Sequence, residues 1–293
     1  MLKNIVVIGA GSMGNGIAHV FAQHQFSVTL TDVSATQLET AKNTIARNLA
    51  RGVKKERLTE AEAAAILAGI QYTTDASTAY KNADLVIEAV SEDEALKKMI
   101  FKQLDVSCKE NCILASNTSS IAIHQLAAAT TRPERVIGMH FFNPVPVMPL
   151  VEIIQGDATA TEVVRTIQNL TQVIGKTGVL ARDVSGFVAN RILLPMLNEA
   201  IGTLDQGVSD VTGIDTVMKL GMGHPMGPLE LADFIGLDVC LSILEVLYTS
   251  LGEAHYKPQP LLKRLVAEGR LGKKSGRGFY DYAGEDKVAL QSF

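Results

Sequence analysis

The apolar run Asn4–Ile8 (NIVVI) leads directly into Gly9-Ala10-Gly11-Ser12-Met13-Gly14, and few chain arrangements accommodate that junction. A short continuous apolar run reads as a strand buried on both faces, as in a parallel sheet covered by helices. G-x-G-x-x-G is a weak signal alone. Here it opens a helical pattern from about Gly14 to His24, followed by a second strand, Ser27–Thr31, that ends at Asp32. In such a βαβ unit Gly9 permits the tight turn, Gly11 lets backbone approach a pyrophosphate, and Gly14 lets helix pack closely on strand. Ala10, Ser12 and Met13 complete the turn, whose exposed N–H groups bind phosphates. Asp32 accepts hydrogen bonds from ribose hydroxyls and repels a 2′-phosphate, which favours NAD over NADP. The motif alone leaves FAD open.

The βα alternation continues. Ser34 and Gln37 form a capping-box pattern before a helix whose apolar face is Leu38, Ala41, Ile45 and Leu49. Thr59 and Glu62 repeat the signature before Ala63–Leu67, and Gly69 suits the helix stop. Further strands are expected at Leu85–Val90, Cys112–Ala115, Val136–Phe142 and Leu150–Ile154, then a helix near Thr161–Ile174 and a strand near Gly178–Ala181. From Gly186 the texture changes: Phe187–Leu204, Ile214–Leu220, Pro228–Leu251 and Leu261–Glu268 read as helices and no clear strand remains. The expected fold is α/β, a Rossmann-type doubly wound sheet over residues 1–184 followed by an all-α domain over 185–293. Apolar stretches such as Leu237–Leu251 exceed what a domain that small readily buries alone, so a homodimer through the helical domain is expected.

At 293 residues, 47% hydrophobic and 20% charged, with a net charge of −4, the composition is that of a globular protein with no nucleic-acid footprint. No apolar run reaches membrane-spanning length, and Ile5–Ile8 lacks the charged lead and cleavage site of a signal peptide. Cys108, Cys112 and Cys240 are too scattered for a disulfide framework, and no second ligand pair follows Cys108 and Cys112. Reduced thiols in a cytoplasmic protein without a metal are therefore expected.

A second cluster carries chemistry. Ser116-Asn117-Thr118-Ser119-Ser120 follows a strand, where an open α/β sheet presents its ligand loops. His140 comes next, then a Pro-rich turn, and Glu152 twelve residues after the histidine on the following strand. Neighbouring strands bring such a pair within hydrogen-bond reach, and a histidine held by a carboxylate suits alcohol oxidation as its base. His19, His24, His124, His224 and His255 lack such a setting and read as structural.

GAGSMGNGIA at 9–18, ASNTSS at 115–120, HFFNPVPVMPLVEII at 140–154, GFVANRILLPMLNEA at 186–200, GHPMGPLELADFIGLD at 223–238 and GKKSGRGFYDY at 272–282 recur together in one family. By these the chain resembles, over essentially its whole length, the 3-hydroxyacyl-CoA dehydrogenases, and among them the short bacterial 3-hydroxybutyryl-CoA enzymes. The resemblance implies NAD as cofactor and an acyl-CoA substrate in a bacterial cytoplasm. It implies that His140 takes the 3-hydroxyl proton while hydride leaves C3, with Glu152 orienting it. Ser119 and Asn190 then bind substrate oxygens, and Asn190, on the first helix of the second domain, places the site in an interdomain cleft. By the same alignment Glu92, Lys97, Asn117, Asn143 and Lys274 match cofactor-side residues, with Lys97 and Ser119 also near the CoA ester. Lys55 matches a CoA-phosphate contact, Asn48 stands where the family often has Ser, and Arg51 and Lys54 add positive charge. This Lys/Arg group also reads as a solvated helix end.

Two other readings stand beside this one. Another β-hydroxyacid dehydrogenase would share the architecture but generally relies on a catalytic lysine, against which the HFFNP context argues. A non-catalytic NAD-binding relative would have no reason to retain Ser119, His140, Glu152 and Asn190 together.

Overall fold

A computed structural model describes residues 2–284 and 286–291. They divide into two compact units, 1–187 and 188–293. The first runs β1 (Asn4–Ile8), α1 (Ser12–Gln23), β2 (Ser27–Thr31), α2 (Ala35–Lys54), α3 (Glu60–Ala68), β3 (Ile70–Thr73), α4 (Ser77–Asn82), β4 (Leu85–Glu88) and α5 (Glu94–Ser107). It continues through β5 (Ile113–Ser116), α6 (Ile123–Ala127), β6 (Val136–Phe141), β7 (Leu150–Gln155), α7 (Thr161–Val173) and β8 (Thr177–Arg182).

The eight strands form one sheet in the order β3-β2-β1-β4-β5-β6-β7-β8. Every neighbouring pair is parallel except β6 and β7. Period-two alternation distributes the apolar strands to two cores. Ile5, Val7, Leu85, Ile87 and Ile113 pack with Ile17, Phe21, Ile45 and Ile167 on one face. Val6, Ile8, Val86 and Leu114 pack with Phe101, Leu104 and Leu126 on the other. Each such buried side chain contributes about 1.5–3 kcal/mol. Thr59 with Glu62 makes the expected reciprocal capping box, whereas at α2 only half of one forms: Ser34 accepts from Gln37 N, and the Gln37 side chain donates to the Ala10 carbonyl instead. Gly69 does terminate α3, but in the right-handed region (φ −74°) and not in the left-handed one. β3, α4 and α5 lie where no element was expected.

The second unit holds α8 (Ala189–Asp205), α9 (Val211–Thr216), a π-helical turn at Val217–Gly221, α10 (Pro228–Ile235), α11 (Leu237–Leu251) and α12 (Pro260–Ala267). A short antiparallel ladder follows, β9 (Tyr280–Asp281) with β10 (Val288–Ala289). Two expectations are corrected. Pro228–Leu251 is not one helix: Gly236 adopts φ +107°, a backbone conformation closed to ordinary helix residues, and the two helices meet at 95°. Nor is this unit free of strands, because the two-residue ladder is too short to leave a periodic pattern. Its core gathers Leu194, Ile201, Leu229, Leu237, Leu244 and Leu265. The buried Asp233 ties the C-terminal segment to α10, accepting from Phe279 N and Tyr280 N at 2.9 Å each. Burial pushes its carboxyl up to about 6 against these donors. No single helix among the described residues is long and apolar enough to cross a membrane.

Candidate active site

The glycine turn between β1 and α1 is shaped by close approaches. Gly9 has φ +96°, and a Cβ there would lie 2.6 Å from the carbonyl oxygen of Ala89. At Gly14 a Cβ would lie 1.8 Å from the Gly9 carbonyl oxygen, whereas at Gly11 it would meet no atom within 4 Å. So two glycines are demanded by the protein itself, and Gly11 faces open space. No side chain caps the start of α1 and no acidic residue stands in its first turn, so its N–H groups are available to an anion. Asp32 is oriented by two backbone donors, Ala10 N at 2.8 Å and Ser34 N at 2.9 Å. A cavity of about 950 Å³ is lined by Gly9, Gly11, Asp32, Val33, Gln37 and Ala89, among others. A helix start without a side-chain cap, an open Gly11 and a carboxylate at the end of β2 fit a dinucleotide.

Next to this turn, β4 ends in Glu88, which is completely buried. It accepts from Lys97 Nζ at 2.6 Å, Ser116 Oγ at 2.7 Å and Val90 N at 2.7 Å. Lys97, only 1% exposed, also lies 3.4 Å from Glu92. Glu92 Oε1 then accepts from Thr118 Oγ1 (2.6 Å), Ser119 N, Ser120 N and Ser120 Oγ (2.9 Å each), with Ser119 Oγ at 3.3 Å. Burial pushes the Glu92 carboxyl up, but the Lys97 charge and the donors from Thr118, Ser120 and Ser119 outweigh it, leaving the group below the usual carboxylate range. The Lys97 ammonium, expected on the cofactor side and near the CoA ester, is held between Glu88, Glu92 and the Val90 carbonyl, and through Glu92 it connects to the Ser119 loop.

His140 and Glu152 are directly paired residues across the antiparallel β6–β7 ladder. His140 Nδ1 lies 2.7 Å from Glu152 Oε2, and the side chains are 11% and 3% exposed. Phe142 and Phe187 flank the ring, with centroids at 4.8 and 5.9 Å. With Nδ1 committed to the carboxylate, Nε2 is the nitrogen that can take a proton. Asn117 Oδ1 accepts from Phe141 N at 2.9 Å, joining the β5 loop to β6. Asn143 Oδ1 stands 3.4 Å from Ser12 Oγ, at the glycine turn.

The remaining expected residues lie on α2 and in the second unit. Asn48 is half-buried on α2, and Lys55, at its C-terminus, is exposed like Arg51 and Lys54. Asn190 lies in the first turn of α8, in the second unit, and Lys274 there pairs with Asp238 at 2.6 Å. Ser116 and Thr118, from the expected ligand loop, join the network, and so does Glu88, which the sequence reading does not single out. For Glu88 a signal existed, since a lone acid inside the apolar run LVIEAV needs a buried partner. His124 was expected to lack a carboxylate, yet Asp183, 59 residues away, meets its Nδ1 at 2.7 Å.

The 3-hydroxyacyl-CoA dehydrogenase NAD binding domain matches residues 4–184, and the C-terminal domain of the same enzymes matches 186–282. A probable 3-hydroxybutyryl-CoA dehydrogenase of Bacillus subtilis (strain 168) is 52% identical over 288 residues, 98% of this chain and 99% of that one. The 3-hydroxybutyryl-CoA dehydrogenase of Bradyrhizobium diazoefficiens is 51% identical, over 98% of each chain. The crystal structure of (S)-3-hydroxybutyryl-CoA dehydrogenase from Ralstonia eutropha superposes with a TM-score of 0.94 at 46% identity, covering 97% of this chain and all of that one. A glycine turn built for a dinucleotide, a His–Glu pair on the same sheet and full-length similarity across both units agree: the chain belongs to the 3-hydroxyacyl-CoA dehydrogenase family.

Proposed function

We propose that this protein catalyses the reversible, NAD-dependent oxidation of an (S)-3-hydroxyacyl-CoA, 3-hydroxybutyryl-CoA in particular, to the 3-oxoacyl-CoA, with His140 as the base. The observation that carries the reading is the 2.7 Å contact between His140 Nδ1 and Glu152. It leaves Nε2 to take the 3-hydroxyl proton, and the adjacent carboxylate stabilises the imidazolium that results. NAD, when bound at the glycine turn, supplies the hydride acceptor. Ser119 and Asn190 donate to the substrate oxygens at C3 and the thioester as negative charge develops there. Asn48 and Lys55, with Arg51 and Lys54, attract the CoA phosphates, while Glu92, Asn117, Asn143 and Lys274 serve the cofactor side. Lys97 serves the cofactor side and, with Ser119, the CoA ester.

The test follows NADH absorbance with acetoacetyl-CoA. Turnover with NADH in preference to NADPH is expected. An inert protein would sink the reaction, and a preference for NADPH would overturn the role of Asp32. The working form we infer is a cytoplasmic homodimer joined through the second unit. That unit leaves Val208, Leu220, Met222 and Phe234 exposed by 71%, 81%, 63% and 54%. A monomer in size-exclusion chromatography would refute that.

A further inference from the structure

Lys176 stands between α7 and β8 and is 8% exposed. Its Nζ donates to two main-chain carbonyls, of Val145 and Met148, at 2.7 Å each. Among the described residues no carboxylate lies within ion-pair distance of it. A buried ammonium without counter-charge is costly, and burial holds the Lys176 pKa below that of an ordinary lysine. Such a group persists where its donors satisfy something that water cannot reach.

What it satisfies is the loop joining β6 to β7, residues 142–149. The loop is folded on itself, with Val147 N and Met148 N both donating to the Pro144 carbonyl at 2.9 and 3.0 Å. On its other side it rests on α1, where a Cβ at Gly16 would come within 2.8 Å of Val145 Cβ. Thr177 N also donates to the Pro149 carbonyl at 2.7 Å, so the Lys176–Thr177 pair grips the loop at three carbonyls. The loop begins two residues after His140 and ends three before Glu152, so a displacement passes into both ends of the hairpin.

We infer that Lys176 is a positioning residue for the His140–Glu152 pair: its ammonium clamps the β6–β7 loop against α1 and so fixes the pair relative to the dinucleotide turn. This rests on the reading of His140 as the base. The His–Glu distance is set by the strand ladder. The clamp sets where the pair sits, which is the quantity that governs approach of a reacting atom. Its loss therefore lowers kcat more than it weakens binding.

The experiment compares wild type with Lys176→Met, which keeps the side-chain length and removes all donors, and Lys176→Gln, which keeps two N–H donors. For Lys176→Met kcat is expected to fall on the order of 10–100-fold, with KM for acetoacetyl-CoA and Kd for NADH within about threefold. Lys176→Gln should recover part of the loss, and it decides the matter alone if the Met variant does not fold. Amide hydrogen exchange, which needs no turnover, should show Val147 and Met148 losing protection in either variant. A kcat within threefold of wild type, or NADH affinity falling as far as kcat, overturns the clamp. Unchanged exchange at Val147 and Met148 also overturns it, even should the wild type prove inert and sink the proposed reaction instead.

Discussion

Two histidines of the first unit hold a carboxylate at the same distance through the same atom. His140 meets Glu152 and His124 meets Asp183, both at 2.7 Å from Nδ1. The surroundings differ. His140 is 11% exposed, wedged between two aromatic rings on a strand beyond which Asn143 reaches the dinucleotide turn. His124 is 57% exposed at the second position of α6. Its partner Asp183 is occupied chiefly with the helix start, accepting from Ile123 N at 2.8 Å and His124 N at 2.7 Å. In the proposed reaction one carboxylate orients a base, and the other caps a helix from a distant part of the chain. The pair distance identifies neither role. What the second ring nitrogen can reach, and what else the carboxylate must satisfy, tells them apart.

The comparison can be broken most sharply at the imidazoles. His140→Ala is expected to lower kcat by about 10³-fold, measured by NADH absorbance, whereas His124→Ala should leave it within about twofold. Equal losses would abolish the distinction. Glu152→Gln keeps an acceptor for Nδ1–H but not the charge that stabilises the imidazolium, and should lower kcat on the order of 10²-fold. A third histidine sharpens the contrast. His19 is buried with Nδ1 lacking a partner among the described residues, and burial pushes its pKa down to about 4 from 6.5. The unfolded chain then takes a proton on this ring between pH 6.5 and 4 while the folded one does not, so stability is lost on acidification through that window. The loss amounts to about 3 kcal/mol, which urea unfolding against pH should show and His19→Gln should remove. Asp183→Ala should cost about 1–2 kcal/mol of stability by the same unfolding measurement, as the loss of a cap does, with turnover of the folded enzyme kept.

The two dyads also show what can be read from a chain and what cannot. The β1–α1–β2 unit, both capping signatures and the His140–Glu152 pairing lie within short separations, where periodicity and turn chemistry speak directly. The His124–Asp183 and Lys176–Val145 contacts join segments far apart in sequence, and nothing local to His124 or Lys176 announces a partner. β3 (Ile70–Thr73) leaves no mark in the sequence, because only Ile70 of its four residues is buried and no alternation results. α5 carries Lys97 on its buried face, which breaks the apolar pattern that would have revealed the helix. Gly236 sits within a long apolar stretch that reads as continuous, and only its positive φ shows the corner. Of the active-site cluster, Lys97 and Ser116 are named from the sequence, but that both serve Glu88, an acid inside an apolar strand, emerges only once β4, α5 and β5 are side by side.

The antiparallel return of β7 makes the His–Glu pair a matter of phase. Side chains along each strand alternate between faces, so inserting one residue inside either strand of the ladder would turn one partner to the opposite side of the sheet. A length change within 143–149 leaves both phases intact but moves the Val145 and Met148 carbonyls that Lys176 holds. Phase is therefore kept by counting residues in twos along the strands, and placement by the tip of the hairpin.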